Sequence, residues 1–288
     1  MYMRFWGTRG SIPVPGEDTV KYGGNTPCVE IRTSSNKLII LDAGTGIRAL
    51  GDFITDNGID QPLNILISHY HWDHIQGIPF FVPIYEKGRE ITFYGIPGSR
   101  YSLKKLLENQ MDRDYFPIKI NETAADVKFQ HLKPNESFRL DGAVIDTLNV
   151  YHSSPTLTFK VKENEKSIVY MTDNELDVPD ENGNNRGEEL REKNKDLIKF
   201  CKGCDYLIHD MMFEDFNINK SGWGHSSSKA LIHFGIMAGV KNIILFHYNP
   251  AYTDNEIDGI FEHTKFWLKE YGSSINCIAA REGLKISL

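Results

Sequence analysis

Cysteine is scarce, with Cys28, Cys201, Cys204 and Cys277 the four thiols in 288 residues. No spacing among them implies a disulfide framework. The lone Cys201-Lys-Gly-Cys204 pair lacks the second C-x-x-C of a zinc ribbon, so all four are expected to be buried structural thiols. Apolar runs long enough to cross a bilayer are missing as well. The opening Met1-Tyr-Met-Arg-Phe-Trp-Gly has neither a long apolar stretch nor a small-residue cleavage site, so no secretory leader is read and a cytoplasmic protein away from membranes is expected. Basic excess is absent: 32 Lys and Arg stand against 39 Asp and Glu, a formal charge of −7. That balance repels polyanions and weighs against extended nucleic-acid binding. No repeat, low-complexity tract or Gly/Ser linker divides the chain, so residues 1–288 are expected to form one domain. At 40% hydrophobic residues the composition supports a sizeable core.

Short β-rich runs recur between turn signals. Residues 3–7, 28–33, 37–42, 63–68 and 91–94 read as strands. Residues 138–150 read as one long bent strand, and 156–162 with 167–171 as a hairpin around the polar turn Glu163-Asn-Glu-Lys. Helical spacing appears over 45–57, 102–110, 189–201, 226–239 (capped by Ser226 or Ser227) and 254–270. Further strands are expected at 206–209, 243–246, 275–279 and 284–286, the last two parted by a turn at Gly283. The polar segment 175–188 reads as a loop. Strands dominate the first half and mix with helices afterwards, which favours an α+β or layered α/β arrangement of packed sheets with helices outside.

The chemistry gathers at the ends of those strands. His69-Tyr-His71-Trp-Asp73-His74 follows an apolar strand and offers four metal-binding side chains within six residues. Imidazole nitrogen suits zinc, iron or manganese, and carboxylate adds a hard oxygen. One tetrahedral site does not need that many donors from a single loop, so two adjacent ions are expected, each completed from elsewhere. The alternative, a polar loop that happens to be rich in histidine, leaves unexplained why Asp42, His152, Asp173, His209 and His247 also end apolar runs. Ligands delivered by several strand ends are how a cleft is built at a sheet edge.

H-x-H-x-D-H after a strand, preceded by Leu41-Asp42-Ala43-Gly44-Thr45-Gly46, resembles the metallo-β-lactamase superfamily. The likeness covers nearly the whole chain in the family's order. It implies a four-layer αβ/βα sandwich with a dinuclear metal centre at one edge. By the same resemblance, His69, His71 and His152 hold one ion, Asp73, His74 and His247 hold the other, Asp173 bridges both, and Asp42 orients ligands. Two ions can share one water, lower its pKa and stabilise charge on a substrate oxygen, so the resemblance implies a metal-dependent hydrolase. Asp73 is also a candidate acceptor for the nucleophile's proton. Two divalent ions are expected, zinc foremost, with manganese or iron as alternatives.

The C-terminal third points to a branch. His209-Asp210, Gly224-His225-Ser226-Ser227 and Leu245-Phe-His247-Tyr-Asn-Pro resemble the phosphodiesterase branch, similar to ribonuclease Z and to cyclic-phosphate and cyclic-nucleotide phosphodiesterases. His225 is then the candidate general acid or phosphate contact, unless it is a helix-capping histidine. His209 and Asp210 either orient His225 or satisfy backbone groups. In the loop Gly7-Thr-Arg-Gly-Ser-Ile-Pro, Arg9 either forks onto a phosphate or belongs to a tight turn after the first strand. Ribonuclease Z relatives often carry a tRNA-binding arm between the third and fourth motifs. Here His152 and Asp173 lie 21 residues apart, room for a hairpin. The acidic segment 174–188, with Glu175, Asp177, Asp180, Glu181 and Glu188 against Arg186, would repel RNA. The expected substrate is therefore a small phosphodiester, a cyclic nucleotide or cyclic sugar phosphate. Residues 95–135 are candidates to cover the cleft, with Tyr115 and Phe116 read as core residues and base stacking as their alternative role. Rival readings are a thioesterase or lactonase of the same superfamily, a tRNA 3′-end endonuclease, and a non-hydrolytic di-iron module. Homodimerisation is left open.

Overall fold

Alternation within the strands decides the architecture. The computed structural model describes residues 1–176, 192–214 and 222–288. In β3 (Leu38–Leu41) every side chain is buried, yet Leu38 and Ile40 enter one hydrophobic cluster and Ile39 and Leu41 another. Period-two geometry requires this of a strand covered on both faces, and explains why such strands read as unbroken apolar runs. β4 (Leu63–Ile67) divides likewise, with Leu66 on one side and Leu63, Ile65 and Ile67 on the other.

These strands belong to a seven-stranded sheet of order β14-β1-β2-β3-β4-β5-β6. Its other members are β1 (Tyr2–Gly7), β2 (Cys28–Arg32), β5 (Glu90–Gly95), β6 (Asp126–His131) and β14 (Lys285–Ser287). Pairing is antiparallel from β14 to β3 and parallel from β3 to β6. The second sheet has the order β13-β12-β11-β10-β9-β8-β7. It comprises β7 (Ser137–Leu140), β8 (Ala143–Asn149), β9 (Leu157–Glu163), β10 (Lys166–Met171), β11 (Tyr206–Asp210), β12 (Asn242–Phe246) and β13 (Asn276–Ala279). It too is antiparallel in one half and parallel in the other.

Three cores follow. Ile39, Leu41 and Leu66 of the first sheet meet Tyr170, Ile208, Ile244 and Phe246 of the second in a central core. The outer face of the first sheet is covered by α1 (Gly46–Asp56) and α3 (Leu103–Gln110) through Ile47, Leu50, Ile54, Leu103 and Leu107. The outer face of the second is covered by α4 (Lys195–Cys201), α5 (Ser228–Ala238) and α6 (Asp254–Glu270). The short α2 (Trp72–Ile75) carries the end of the histidine motif. This is the four-layer αβ/βα sandwich expected from the sequence. Ser227 caps α5 by accepting from Ala230 N, one of the two caps expected there, and a Thr253–Glu256 capping box starts α6. All four cysteines are free and buried. Among the described residues no helix is long and apolar enough to cross a membrane.

Two expectations change. Residues 138–150 are not one bent strand but the hairpin β7–β8. Asp141 and Gly142 both take positive φ, 49° and 91°, which matches the right-handed twist of a two-residue hairpin turn and which Asp-Gly tolerates. Tyr115 is not a core residue: it is 82% exposed in the turns after α3, while Phe116 packs edge-on against Phe80. In the acidic segment, Asp177, Asp180, Glu181, Arg186 and Glu188 lie outside the described residues, as does the start of the helix expected from residue 189.

Candidate metal centre

The strand ends converge at one edge of the sandwich. Asp42 follows β3, His69 lies two residues beyond β4, Asp173 two beyond β10, and His247 directly follows β12. Asp42, Asp173 and His247 hold φ of 59°, 52° and 52°, left-handed conformations that turn the chain sharply out of the strand. Asp and His visit that region more readily than β-branched residues do.

Two groups of four donors result. Ligand atoms of His69, His71, His152 and Asp173 lie within 4.8 Å of one another, as do those of Asp73, His74, Asp173 and His247. Asp173 belongs to both. Its Oδ2 is 3.3 Å from His69 Nε2 and 3.2 Å from His74 Nε2, and its Oδ1 is 3.1 Å from His247 Nε2.

Hydrogen bonding on the far side of three of the rings shows which of their nitrogens are bare. The Ser68 hydroxyl donates to Asp42 Oδ2 at 2.8 Å, so at His69 Nδ1, 3.1 Å away, it acts as acceptor. That puts the His69 proton on Nδ1 and leaves a lone pair on Nε2. His74 Nδ1 donates to Asp42 Oδ2 at 2.7 Å, and His152 Nδ1 donates to the Gly224 carbonyl at 3.0 Å. Histidine ligands are oriented in this way by a partner on the second nitrogen. The fit to a cation is visible in what is left over. His69 Nε2 is buried without a hydrogen-bond partner, because the nearby Asp173 oxygen can only accept. His71 Nδ1 faces His152 Nε2 across 3.1 Å, and His74 Nε2 faces His247 Nε2 across 3.2 Å. Lone pairs and carboxylate oxygens converging at such distances are the donor set of a divalent ion.

Electrostatics agree. Burial, with neighbouring imidazoles adding to it and Asp173 opposing, lowers His71 and His152 to about 4, which keeps both rings neutral at pH 7. Burial opposes ionisation of Asp73 and Asp173, yet the facing histidines outweigh it and hold both well below the ordinary carboxylate range. His74 is pushed the other way: burial disfavours its charge, but Asp73, Asp173 and Asp42 raise it well above the usual value. The point between these carboxylates requires positive charge, which a proton or a metal ion satisfies.

Asp42 is fully buried and accepts from Ser68 N (2.7 Å), the Ser68 hydroxyl, His74 Nδ1 and Tyr170 Oη (2.7 Å). Tyr170 was not anticipated, since its partner is 128 residues away and no local pattern marks it. Asp42→Ala is expected to strand several buried donors, each costing about 1–3 kcal/mol. It is also expected to weaken metal retention by about 10–100-fold, measured by competition with a chelator.

His225 stands beside the two groups. Its ring stacks on His247 (centroids 5.4 Å, 25°) and meets His152 edge-on. Its Nδ1 lies 3.5 Å from Asp210 Oδ2, a charge contact rather than a well-formed hydrogen bond. Burial lowers its affinity for a proton, but Asp210, Asp173 and Asp73 outweigh burial and raise its pKa to about 9. Asp210 also accepts from Ser226 N and Asn174 N, so it both faces His225 and fixes the backbone around it. His209 takes the other expected role and satisfies a backbone group. It is buried within β11, with Nδ1 against its own neighbour's carbonyl and Nε2 3.4 Å from the Asn174 amide.

Arg9 is corrected. It is fully buried, donates from Nε to Gly23 O (2.8 Å) and from Nη1 to Tyr252 O (2.6 Å), and pairs at 3.5 Å with Asp254. A guanidinium so committed ties distant segments together and does not fork onto a phosphate. The same loop nevertheless reaches the centre. Ser11 N donates to Asp73 Oδ2 at 2.7 Å, so the backbone approaches the protein's own anion. Gly10 packs so tightly that a Cβ would lie 2.4 Å from the His247 ring.

A model of the beta-lactamase superfamily domain matches residues 37–248. The chain belongs to the metallo-β-lactamase superfamily. Ribonuclease Z of Picrophilus torridus is 26% identical over 291 residues, covering 89% of this chain and 90% of that protein. Among solved structures, a diphosphatase of the PhnP family superposes with a TM-score of 0.67 at 17% identity, covering 100% of this chain and 97% of its own. Unliganded yeast PDE1 gives a TM-score of 0.67 at 16% identity, covering 100% and 99%. At those identities the two structures show the shared fold. Family membership and the two His/Asp groups together make the chain a metal-dependent hydrolase.

Proposed function

We propose that the protein is a phosphodiesterase that hydrolyses a small cyclic phosphodiester, a cyclic nucleotide or cyclic sugar phosphate, at a centre of two divalent ions. The observation that carries this is the pair of four-donor groups sharing Asp173, with His225 stacked against them and backed by Asp210. In this reading His69, His71 and His152 would hold one ion and Asp73, His74 and His247 the other, with Asp173 common to both groups. Ions held there supply Lewis acidity and a lowered water pKa.

The chain's own groups do the rest. Asp42, Ser68 and Gly224 O fix the rings. His225 holds a proton with Nδ1 turned to Asp210 and delivers it to the leaving oxygen. Asp73 is the candidate acceptor of a proton from the attacking water in this reading. A proton donor discriminates between substrates: a departing alkoxide needs protonation, whereas a thiolate, with a thiol pKa of about 8.5, leaves without it. His225 with Asp210 therefore favours a phosphodiester over a thioester.

A second reading, endonucleolytic cleavage of a tRNA precursor, is favoured by the ribonuclease Z relatives. Against it stand the net charge of −7 and the β9–β10 hairpin that fills the chain between His152 and Asp173. Metal analysis of the purified protein should give two ions per chain, zinc before manganese or iron. Assay of 2′,3′- and 3′,5′-cyclic nucleotides, cyclic sugar phosphates, a thioester and pre-tRNA should then give the highest kcat/KM on a cyclic phosphodiester. Preferred cleavage of pre-tRNA, or turnover of the thioester alone, would sink the proposal.

A further inference from the structure

The two donor groups differ in access. All four residues of the Asp73/His74/Asp173/His247 group are buried, whereas in the other group His71 is exposed and His152 half-buried. A substrate therefore reaches the centre across the edge where His71 Nδ1 and His152 Nε2 lie 3.1 Å apart. Three large aromatic residues adjoin that edge along the chain. Trp72 follows His71, Tyr151 precedes His152, and Trp223 precedes Gly224, whose carbonyl accepts from His152 Nδ1. Each is one peptide link, about 3.8 Å between Cα atoms, from a contiguous set of touching residues. They are 80%, 61% and 59% exposed.

Single apolar residues on a surface are ordinary, but three exposed aromatics, each one residue from the contacts at the same edge, point to a binding role. Their backbone is also held. Tyr151 N donates to Asn174 Oδ1 at 3.0 Å, and Tyr151 O accepts from Glu175 N at 2.8 Å. The Glu175 carboxylate in turn accepts from Gly222 N and Gly224 N on either side of Trp223, at 2.8–3.0 Å. Both aromatic positions are thus pinned to the two residues that follow Asp173. Rigid anchors bind with less ordering cost than mobile ones. Beside His152 a groove of about 730 Å³, lined by Tyr151, Asn149, Asn135 and Ser153 among others, gives room for a nucleotide-sized ligand.

The geometry points to a base-binding mouth: Trp72, Tyr151 and Trp223 stack on the nucleobase of the substrate, and the phosphodiester that reaches the centre is carried on a nucleotide. A base-free cyclic sugar phosphate offers hydroxyls and a small C–H face that packs weakly on an aromatic ring, whereas every base presents a full π-face to stack. This inference rests on the phosphodiesterase reading and narrows it to one of its two substrate classes.

The test compares kcat/KM for 2′,3′-cyclic AMP with that for the base-free methyl β-riboside 2,3-cyclic phosphate, using the metal-loaded protein. The wild type is expected to prefer the nucleotide, and Trp72→Ala or Trp223→Ala to lower the preference by about tenfold through KM, with Trp→Phe variants retaining most of it. In a separate binding measurement, 5′-AMP should quench tryptophan emission more strongly than ribose 5-phosphate, and less so in Trp72→Phe and Trp223→Phe. Equal kcat/KM on the two cyclic phosphates, or variants that depress both by one factor, would overturn the base-binding mouth while leaving the phosphodiesterase reading intact. Turnover of neither, with a thioester hydrolysed instead, overturns both.

Discussion

Replacing His247 is expected to cost one metal ion per chain and to drop turnover below detection. Its Nε2 lies 3.1 Å from both Asp73 Oδ2 and Asp173 Oδ1 and 3.2 Å from His74 Nε2, so no neighbour can take its place. The choice of substitute matters because residue 247 has φ of 52°. Alanine there lacks the tolerance of positive φ that histidine and asparagine share, so His247→Ala combines a backbone effect with the loss of a ligand. Asparagine tolerates the conformation, so His247→Asn separates the two effects. Elemental analysis and turnover read the result. Two ions per chain with normal activity in His247→Asn would reject the assignment of the second site.

Replacing His225 should behave differently. His225→Ala is expected to keep both ions and to lose about 10²–10⁴-fold in kcat, the usual contribution of a positioned acid. The pH profile carries the sign. The raised pKa of about 9 keeps the ring charged below that value and neutral above it, so activity that depends on the acid falls as pH rises through it. Part of the elevation comes from Asp173 and Asp73, whose charge divalent ions offset. In the loaded enzyme the alkaline limb should therefore lie between about 6.5 and 9. His225→Ala should abolish that limb. A variant that loses metal, or one that keeps the limb, would show that His225 is not the acid.

Much of this site was legible because its donors end apolar strands, and apolar runs are the signal a sequence shows most plainly. Asp42 after Leu-Ile-Ile-Leu and His247 after Ile-Ile-Leu-Phe sit at the sheet edge for that reason. What was not legible depends on partners far along the chain. Nothing near Arg9 shows that its guanidinium is used by Gly23, Tyr252 and Asp254, and nothing near Tyr170 shows that it serves Asp42. The β7–β8 turn escaped notice because alternation continues through Asp141-Gly142 on both sides. β6, the polar edge strand Asp-Val-Lys-Phe-Gln-His, escaped because only half of one face is covered.

The order of pairing has a consequence for synthesis. β1 is made before every other strand of the two sheets, yet its outer neighbour is β14, formed by residues 285–287. The motif at His69–His74 emerges early, but its bridging carboxylate comes at Asp173 and its last imidazole at His247. Neither sheet nor donor group can be completed on a half-made chain, so a nascent chain exposes an open, histidine-rich loop and an unpaired first strand until almost all of the sequence is available. The full donor set is thereby complete only once His247 has been made, and the first sheet only once β14 has joined β1.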